Sequence, residues 1–219
     1  MTAGKPLVWG IGTTRTVRAH WMLREFGVDY ETRPIRSRTG ETYTDEFLAL
    51  NPKHKIPVLQ HGSVVLSESA AIATYVSETF DPPAGFYVPA NPAERGRLNE
   101  WCYFVISELD AHTLYVIRRH DGLKEIYGEA PVAVESAREY FLDQMNAMAG
   151  RVEAAGTYLF GDDLSVADVL LMTCLDWARL YHIPLPDILI AYQARVGDRP
   201  AYRDAFAFNF PGLDIRKAR

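Results

Sequence analysis

Residues 51–80 read NPKHKIPVLQHGSVVLSESAAIATYVSETF, and this stretch decides how the first part of the chain folds. Two short runs of strand-forming residues flank the dipeptide His61-Gly62, which is typical of a hairpin turn. Behind the polar segment Ser67-Glu68-Ser69 a helix is predicted over 70–80. The stretch therefore predicts two paired strands followed by a helix, with polar residues at both ends of the hairpin.

Toward the N-terminus, short strand-like runs alternate with helical ones. Strands are predicted over 6–9 and 30–35, and helices over 14–26 and 45–50. The order is therefore βαβα followed by ββα, which is typical of a small α/β domain.

Toward the C-terminus the strand signals vanish. Residues 81–93 carry four prolines and form a predicted linker. Helices are predicted over 92–119, 133–155, 165–179, 186–196 and 200–207. We therefore expect an α/β domain over residues 1–82, a linker over 83–93 and an all-helical domain over 94–219.

Composition and charge exclude several classes of protein. The 219 residues are 48% hydrophobic and 23% charged, with a net charge of −5, which is ordinary for a globular protein. The acidic balance argues against a nucleic-acid surface. No signal-peptide pattern opens the chain and no apolar run is long enough for a membrane span. The two cysteines, Cys102 and Cys174, are predicted to be buried and reduced. We expect a cytoplasmic, soluble protein without a metal site.

The turn between the first strand and the first helix, Gly10-Ile-Gly-Thr-Thr-Arg15, is the first candidate site. Hydroxyl groups at a helix N-terminus lie beside free backbone N–H groups and the positive end of the helix dipole, so they can stabilise an anion. Simple helix capping by Thr13 or Thr14 is the alternative. A dinucleotide site fits poorly, because Arg15 occupies the third glycine position of GxGxxG.

Two more polar segments are candidates for binding. In the loop Asn51–Pro57, a cis Pro57 would leave the preceding backbone groups free, and Lys53, His54 and Lys55 add cations; a solvated basic loop is the alternative. At the start of the following helix, Ser69 can bind a carboxylate and Glu68 an ammonium group, which together describe the head group of an α-amino acid. Ordinary capping by Ser69 is the alternative there.

The motifs NPKHKIPVL and LSESAAIATYV, the proline linker and FGDDLSVADVLL resemble those of the cytosolic glutathione transferases over essentially the full length of the chain. The resemblance implies a thioredoxin-like domain followed by an all-α domain, normally as a homodimer. It also implies glutathione as co-substrate, conjugated through its thiolate to a small electrophile in a detoxification reaction.

The resemblance also implies roles for particular residues. The backbone of Ile56 would pair with the peptide part of glutathione and Pro57 would be its cis proline. Glu68 and Ser69 would hold the γ-glutamyl head group, and His54 and Lys55 the glycine carboxylate.

The catalytic position implied by the resemblance is a hydroxyl. The serine-type classes place it four residues before the Val-Arg arginine, and counting back from Arg18 gives Thr14, with Thr13 as the neighbouring candidate. No tyrosine precedes Tyr30, and the cysteine of the thiol-using classes is missing. The motif SSCxWR of the maleylacetoacetate isomerases is not matched either, which disfavours that reaction.

The electrophile is expected to contact the helical half, with His112, Tyr115, Arg118 and Arg119 as candidate residues. Two other functions stay open. One is a different glutathione-dependent reaction, such as dehalogenation, ether cleavage or peroxide reduction. The other is a non-catalytic interaction module on the same scaffold.

Overall fold

A computed structural model describes residues 4–213. The chain forms two compact units: the first comprises the residues up to Ala84 together with Asp198–Leu213, and the second comprises Gly85–Gly197. The strands are β1 (Leu7–Trp9), β2 (Glu31–Arg33), β3 (Val58–His61) and β4 (Val64–Leu66). The α-helices are α1 (Thr14–Glu25), α2 (Asp45–Leu50), α3 (Ser69–Thr79), α4 (Pro92–Phe104), α5 (Tyr115–Ile117), α6 (Lys124–Tyr127), α7 (Pro131–Ala155), α8 (Val166–Leu180), α9 (Asp187–Val196) and α10 (Pro200–Asn209).

The first unit is built on a four-stranded sheet in the order β2-β1-β3-β4. Strand β1 runs parallel to β2 and antiparallel to β3, with Trp9 opposite Val58. This register places the C-terminal end of β1 beside the N-terminal end of β3. The turn that leads into α1 and the loop that ends at Pro57 therefore lie at the same edge of the sheet.

Helix α1 is nearly enclosed within the first unit. Val17, Trp21 and Leu23, which the apolar spacing predicts to face inward, are 0 to 1% exposed. The last helix, α10, packs against α1, with the ring of Tyr202 edge-on to that of Trp21 at a centroid distance of 4.9 Å. Helix α10 thus belongs to the first unit, while a domain boundary within the proline-rich segment remains our prediction for the domain organisation.

The second unit is helical. Asn91 caps α4, since its side chain accepts hydrogen bonds from the N–H groups of Ala93 and Glu94. The helix predicted over 92–119 is continuous but not uniform, because its backbone hydrogen bonds widen to π-helical spacing over Val105–Leu114 and again over Arg118–Gly122.

Helix α8 begins with a capping box, in which the side chains of Ser165 and Asp168 each accept a hydrogen bond from the other's backbone N–H group. Burial raises the pKa of the Asp168 carboxyl. The hydroxyl of Tyr192 and the N–H of Leu159 donate to the same carboxylate.

The predicted fold class, a thioredoxin-like α/β unit followed by helices, is confirmed. Observed strands are shorter than predicted, because only residues with a ladder partner remain paired. The sequence pattern missed the 3₁₀ turn Glu41–Tyr43 and helix α6. Both cysteines are buried and neither forms a disulfide, and burial raises the pKa of Cys102 to about 12. Across residues 4–213, no helix has the length and apolar character needed to cross a bilayer.

Candidate functional site

The turn after β1 comes very close to the loop before β3, and Gly10 allows this approach. A Cβ on Gly10 would lie 2.5 Å from the Cβ of Ile56, and Gly10 also has a φ of +111°, which side chains other than hydrogen rarely tolerate. Ile56 packs in the core with Trp9, Phe47 and Val58. The two candidate segments are therefore in direct contact at this edge of the sheet.

The start of α1 distinguishes the two threonines. Thr13 is the N-cap: its hydroxyl accepts a hydrogen bond from the Thr16 N–H at 3.0 Å, and its own N–H donates to the Thr16 hydroxyl at 3.0 Å. Thr14 is the first helical residue, is 7% exposed, and its hydroxyl makes no hydrogen bond to any residue within 4–213. The Thr14 hydroxyl is therefore the one available to a ligand, while that of Thr13 serves the helix.

The surroundings of this turn favour an anion. The first turn of α1 contains no acidic residue, so the positive end of the helix dipole is not neutralised from within. The guanidinium of Arg36 lies against Gly12, with Nη1 2.7 Å from the point that a Cβ on Gly12 would occupy. Sequence reasoning missed Arg36, because it lies in an irregular segment after β2 and its approach depends on the fold.

The loop before β3 is held by the buried side chain of Asn51. Its amide donates to the Lys55 carbonyl at 2.7 Å, and its carbonyl oxygen accepts from the Lys53 N–H at 3.2 Å. This bracing supports His54, whose φ of +56° lies in the left-handed region. The exposed Lys55 contributes its carbonyl to the bracing.

The imidazole of His54 is oriented by the 3₁₀ turn before α2. Its Nδ1 lies 3.1 Å from the carbonyl oxygen of Thr42, which can only accept, so Nδ1 carries the proton. The ring stacks on Tyr43 at a centroid distance of 4.2 Å. Nε2 makes no hydrogen bond to a described residue, which leaves this nitrogen for a ligand.

The predicted cis peptide bond between Ile56 and Pro57 is present. Among the residues that the structure describes, none hydrogen-bonds to the backbone N–H or C=O of Ile56. A peptide ligand can therefore pair with the backbone at this position, as an added strand would.

The start of α3 differs from the expected arrangement. Glu68, not Ser69, occupies the N-cap position, so capping by Ser69 was wrong. Ser69 is the first helical residue, and its buried hydroxyl accepts a hydrogen bond from Nη1 of the fully buried Arg18 at 3.2 Å. A buried cation next to a helix N-terminus attracts a carboxylate. Sequence reasoning missed this role of Arg18, because the contact with Ser69 joins residues that are far apart along the chain.

Glu68 is already paired. Its Oε1 lies 2.5 Å from Nζ of Lys53, and the two side chains are 72% and 51% exposed. Lys53 comes from the braced loop, so the pair joins that loop to the start of α3. An exposed ion pair of this kind contributes little to stability in water. A ligand ammonium can therefore replace Lys53, or share the Glu68 carboxylate with it, at low cost.

The candidate residues of the second unit lie on the helical run between α4 and α6. His112 is exposed, with its ring 5.3 Å from that of Tyr140. The guanidinium of Arg119 lies 4.6 Å over the ring of Tyr127, while Tyr115 and Arg118 are half-buried. These contacts lie within the second unit.

Comparison with known proteins finds a family match for the first unit and relatives that align with most of the chain. Residues 7–78 match the glutathione S-transferase N-terminal domain. The chain is 29% identical over 189 residues to the maleylacetoacetate isomerase of Mus musculus, covering 84% of this chain and 83% of that protein. It is 28% identical over 203 residues to the maleylpyruvate isomerase of a Ralstonia species, with 90% and 93% covered.

Among solved structures, a glutathione transferase from Methylococcus capsulatus superposes with a TM-score of 0.80 at 28% identity. The superposition covers 93% of this chain and 98% of that one. The likeness therefore extends over both units.

Proposed function

We propose that this enzyme, a member of the glutathione transferase family with glutathione as its co-substrate, activates the glutathione thiol at Thr14. The resulting thiolate then adds to a small electrophile. One observation carries this proposal: at the N-terminus of α1 the capping is done by Thr13, and the hydroxyl of Thr14 is left without a partner among the described residues. A helix that needed only a cap would not require this second hydroxyl.

The proposed binding mode follows the contacts of the first unit. The α-carboxylate of glutathione binds at the Ser69 hydroxyl, backed by Arg18, and its ammonium group binds Glu68. The cysteinyl peptide pairs with the backbone of Ile56. The glycine carboxylate lies near His54 and Lys55, which belong to the loop that also contains Ile56.

The chemical step needs the thiolate. A free thiol has a pKa of roughly 8.5, so little of it is ionised at neutral pH. We expect the Thr14 hydroxyl to donate to the sulfur, with the α1 dipole and the Arg36 guanidinium adding positive potential. Each unit by which the thiol pKa falls corresponds to ~1.4 kcal/mol in favour of the thiolate.

In conjugation the thiol proton passes to solvent and the sulfur forms a bond to the electrophilic carbon. A leaving group departs with its electron pair, or, with an unsaturated electrophile, the carbon next to the attacked one takes up a proton. The product is a thioether of glutathione.

A second candidate is cis–trans isomerisation. It is supported by the sequence similarity of this chain to a maleylacetoacetate isomerase and a maleylpyruvate isomerase. Here the thiolate adds to an activated C=C bond, the resulting single bond rotates, and the thiolate leaves again. The missing SSCxWR motif, which argued against this reaction, does not affect the proposed thiolate, because Thr14 can stabilise it in either reaction.

The test is an ultraviolet titration of thiolate absorbance in the glutathione complex, for the wild type, Thr14→Val and Thr13→Val. We expect a lowered thiol pKa in the wild type and a pKa close to ~8.5 in Thr14→Val. Thr13→Val should mainly reduce stability, by about 1 kcal/mol, since it removes the cap. A raised pKa in Thr13→Val alone would assign the role to Thr13.

Product analysis then separates the two reactions. Chromatography after incubation with an aryl halide and, separately, with a cis-enedioate should show a glutathione thioether in the first case. Recovery of the trans-enedioate with no glutathione consumed would establish isomerisation instead. A wild-type complex with an unshifted thiol pKa would contradict the proposal as a whole.

A further inference from the structure

The C-terminal helix of the first unit contributes a side chain to the turn before α1. Asn209, the last residue of α10, is completely buried. Its Oδ1 accepts a hydrogen bond from the Gly12 N–H at 3.2 Å and lies 2.6 Å from the hydroxyl of Thr16. Asn209 is therefore bonded to both sides of Thr14 in sequence, although it is far away along the chain.

The orientation of this amide follows from its neighbours. Nδ2 donates to the carbonyl oxygen of Ala205 at 2.8 Å, and a carbonyl can only accept. Gly12 offers an N–H, which can only donate. The two partners therefore direct the oxygen of Asn209 toward the turn and its nitrogen toward α10.

Thr16 links Asn209 to the cap of α1. Its hydroxyl oxygen accepts from the Thr13 N–H at 3.0 Å, and its single proton lies within reach of Asn209 Oδ1 at 2.6 Å and the Thr13 carbonyl at 2.7 Å. Thr16 is itself fully buried. A continuous set of hydrogen bonds thus runs from α10 through Thr16 to the N-cap.

The turn needs such a support. Gly12 has a φ of +82°, and glycine loses the most conformational freedom on folding, so an unsupported Gly-containing turn samples other conformations. A hydroxyl displaced by about 1 Å from the reacting atom can cost a large factor in rate. Packing of α10 on α1 alone would not hold Gly12, because apolar contacts are not directional.

We propose that Asn209 is a positioning residue for the thiol site: its amide oxygen holds the segment from Gly12 to Thr16 in the conformation that directs the Thr14 hydroxyl at a bound thiolate. This rests on the function proposed above. Asn209 does not touch glutathione in this scheme. It acts through the turn.

The test compares Asn209→Leu, which keeps a similar volume, with the wild type. We expect the pKa of the bound thiol to rise toward ~8.5 and turnover at neutral pH to fall about tenfold for each unit of that rise. Turnover should recover at alkaline pH, and the Kd for glutathione should change much less, because Glu68, Ser69 and the Ile56 backbone remain. Hydrogen exchange of the Gly12 amide, followed by NMR without glutathione, should become faster.

Three further variants serve as controls. Thr16→Val should reproduce the effect of Asn209→Leu, and it decides the matter if Asn209→Leu fails to fold. Thr16→Ser keeps the hydroxyl that Thr16→Val removes, so its thiol pKa should equal that of the wild type. Tyr202→Leu weakens the packing of α10 on Trp21 without touching the turn, so it should lower stability and leave the thiol pKa unchanged.

An unchanged thiol pKa in folded Asn209→Leu would overturn this inference, as would an equal rise in Tyr202→Leu. If the wild type itself shows an unshifted thiol pKa, the proposed function fails. In that case the exchange rate of the Gly12 amide still decides whether Asn209 holds the turn, since that measurement needs no ligand.

Discussion

The pair formed by Glu68 and Lys53 shows how a binding group can be kept ready. Glu68 stands at the N-cap position of α3, but its side chain makes no capping hydrogen bond and instead reaches Lys53. Most of the carboxylate is exposed, so it contributes little to stability. Its place beside Ser69 is explained better by an ammonium ligand than by the needs of the helix.

If Glu68 binds the ligand ammonium, Glu68→Ala should weaken glutathione binding without affecting the fold. Glutathione affinity should fall by about 1.5–3 kcal/mol, the range for a hydrogen bond to a charged group, while the free energy of unfolding stays nearly constant. Calorimetric titration measures the affinity. Glu78→Ala, an exposed glutamate at the other end of α3, is the matched control and should bind normally. Normal binding by folded Glu68→Ala would remove Glu68 from the site.

At the scale of elements, helix α1 is tied to the end of β1 by His20. Nε2 of His20 donates to the Gly10 carbonyl at 3.0 Å, which leaves Nδ1 to accept from the Tyr30 hydroxyl at 3.0 Å. Arg24 in turn donates to the Tyr30 oxygen at 3.1 Å. Burial lowers the pKa of His20 to about 4, so the neutral ring is the form that holds Gly10.

This predicts an acid-sensitive fold. Below the unfolded-state pKa of about 6.5 the unfolded chain binds a proton at His20, and the folded chain does not until about pH 4. Stability is therefore retained above that range and lost as pH falls through it, by about 3 kcal/mol in all. Urea unfolding at a series of pH values measures this loss.

The matched variants for this prediction are His20→Gln and His112→Gln. His20→Gln cannot titrate and should show a shallower fall in stability between pH 6.5 and 4. His112 is exposed, so its replacement should leave the slope as it is in the wild type. Equal slopes for the wild type and His20→Gln would show that burial of His20 does not govern acid stability.

At the scale of the whole molecule, we predict a two-fold homodimer. In the sequence alone, the run Trp101, Tyr103 and Phe104 predicts more aromatic surface than one helix face can bury. The structure reduces that surface: Trp101 is buried, with the Arg151 guanidinium 4.9 Å from its ring, and Phe104 packs edge-on against Trp101. Tyr103 remains 68% exposed on α4 and is the aromatic that a partner would cover.

Light scattering over a range of protein concentrations tests the dimer. We expect twice the mass of one chain at micromolar concentration, and a shift toward the monomer for Tyr103→Glu, because a charge is costly in a buried interface. Glu125→Ala, a surface change on the short helix α6, serves as the control. A wild-type protein that stays monomeric at micromolar concentration would contradict the prediction.

Most of the helices and strands, and their order along the chain, can be predicted from local sequence patterns. Strand and helix periodicity, the proline-rich segment and the capping box of Ser165 and Asp168 are local signals, since they depend on residues within a few positions of one another. The motif around Pro57 likewise predicted a cis bond that is present. These features need no knowledge of which helix packs against which.

Contacts between polar groups that are distant in sequence could not be predicted in this way, because they depend on how the helices and strands pack. The packed chain pairs Ser69 with Arg18 and brings Asn209 to Gly12 across 197 residues of chain. Apolar spacing predicts that a helix face is buried but not its partner, because hydrophobic contact has no direction. Hydrogen bonds between distant residues do have direction, and they exist only once α10 is packed on α1.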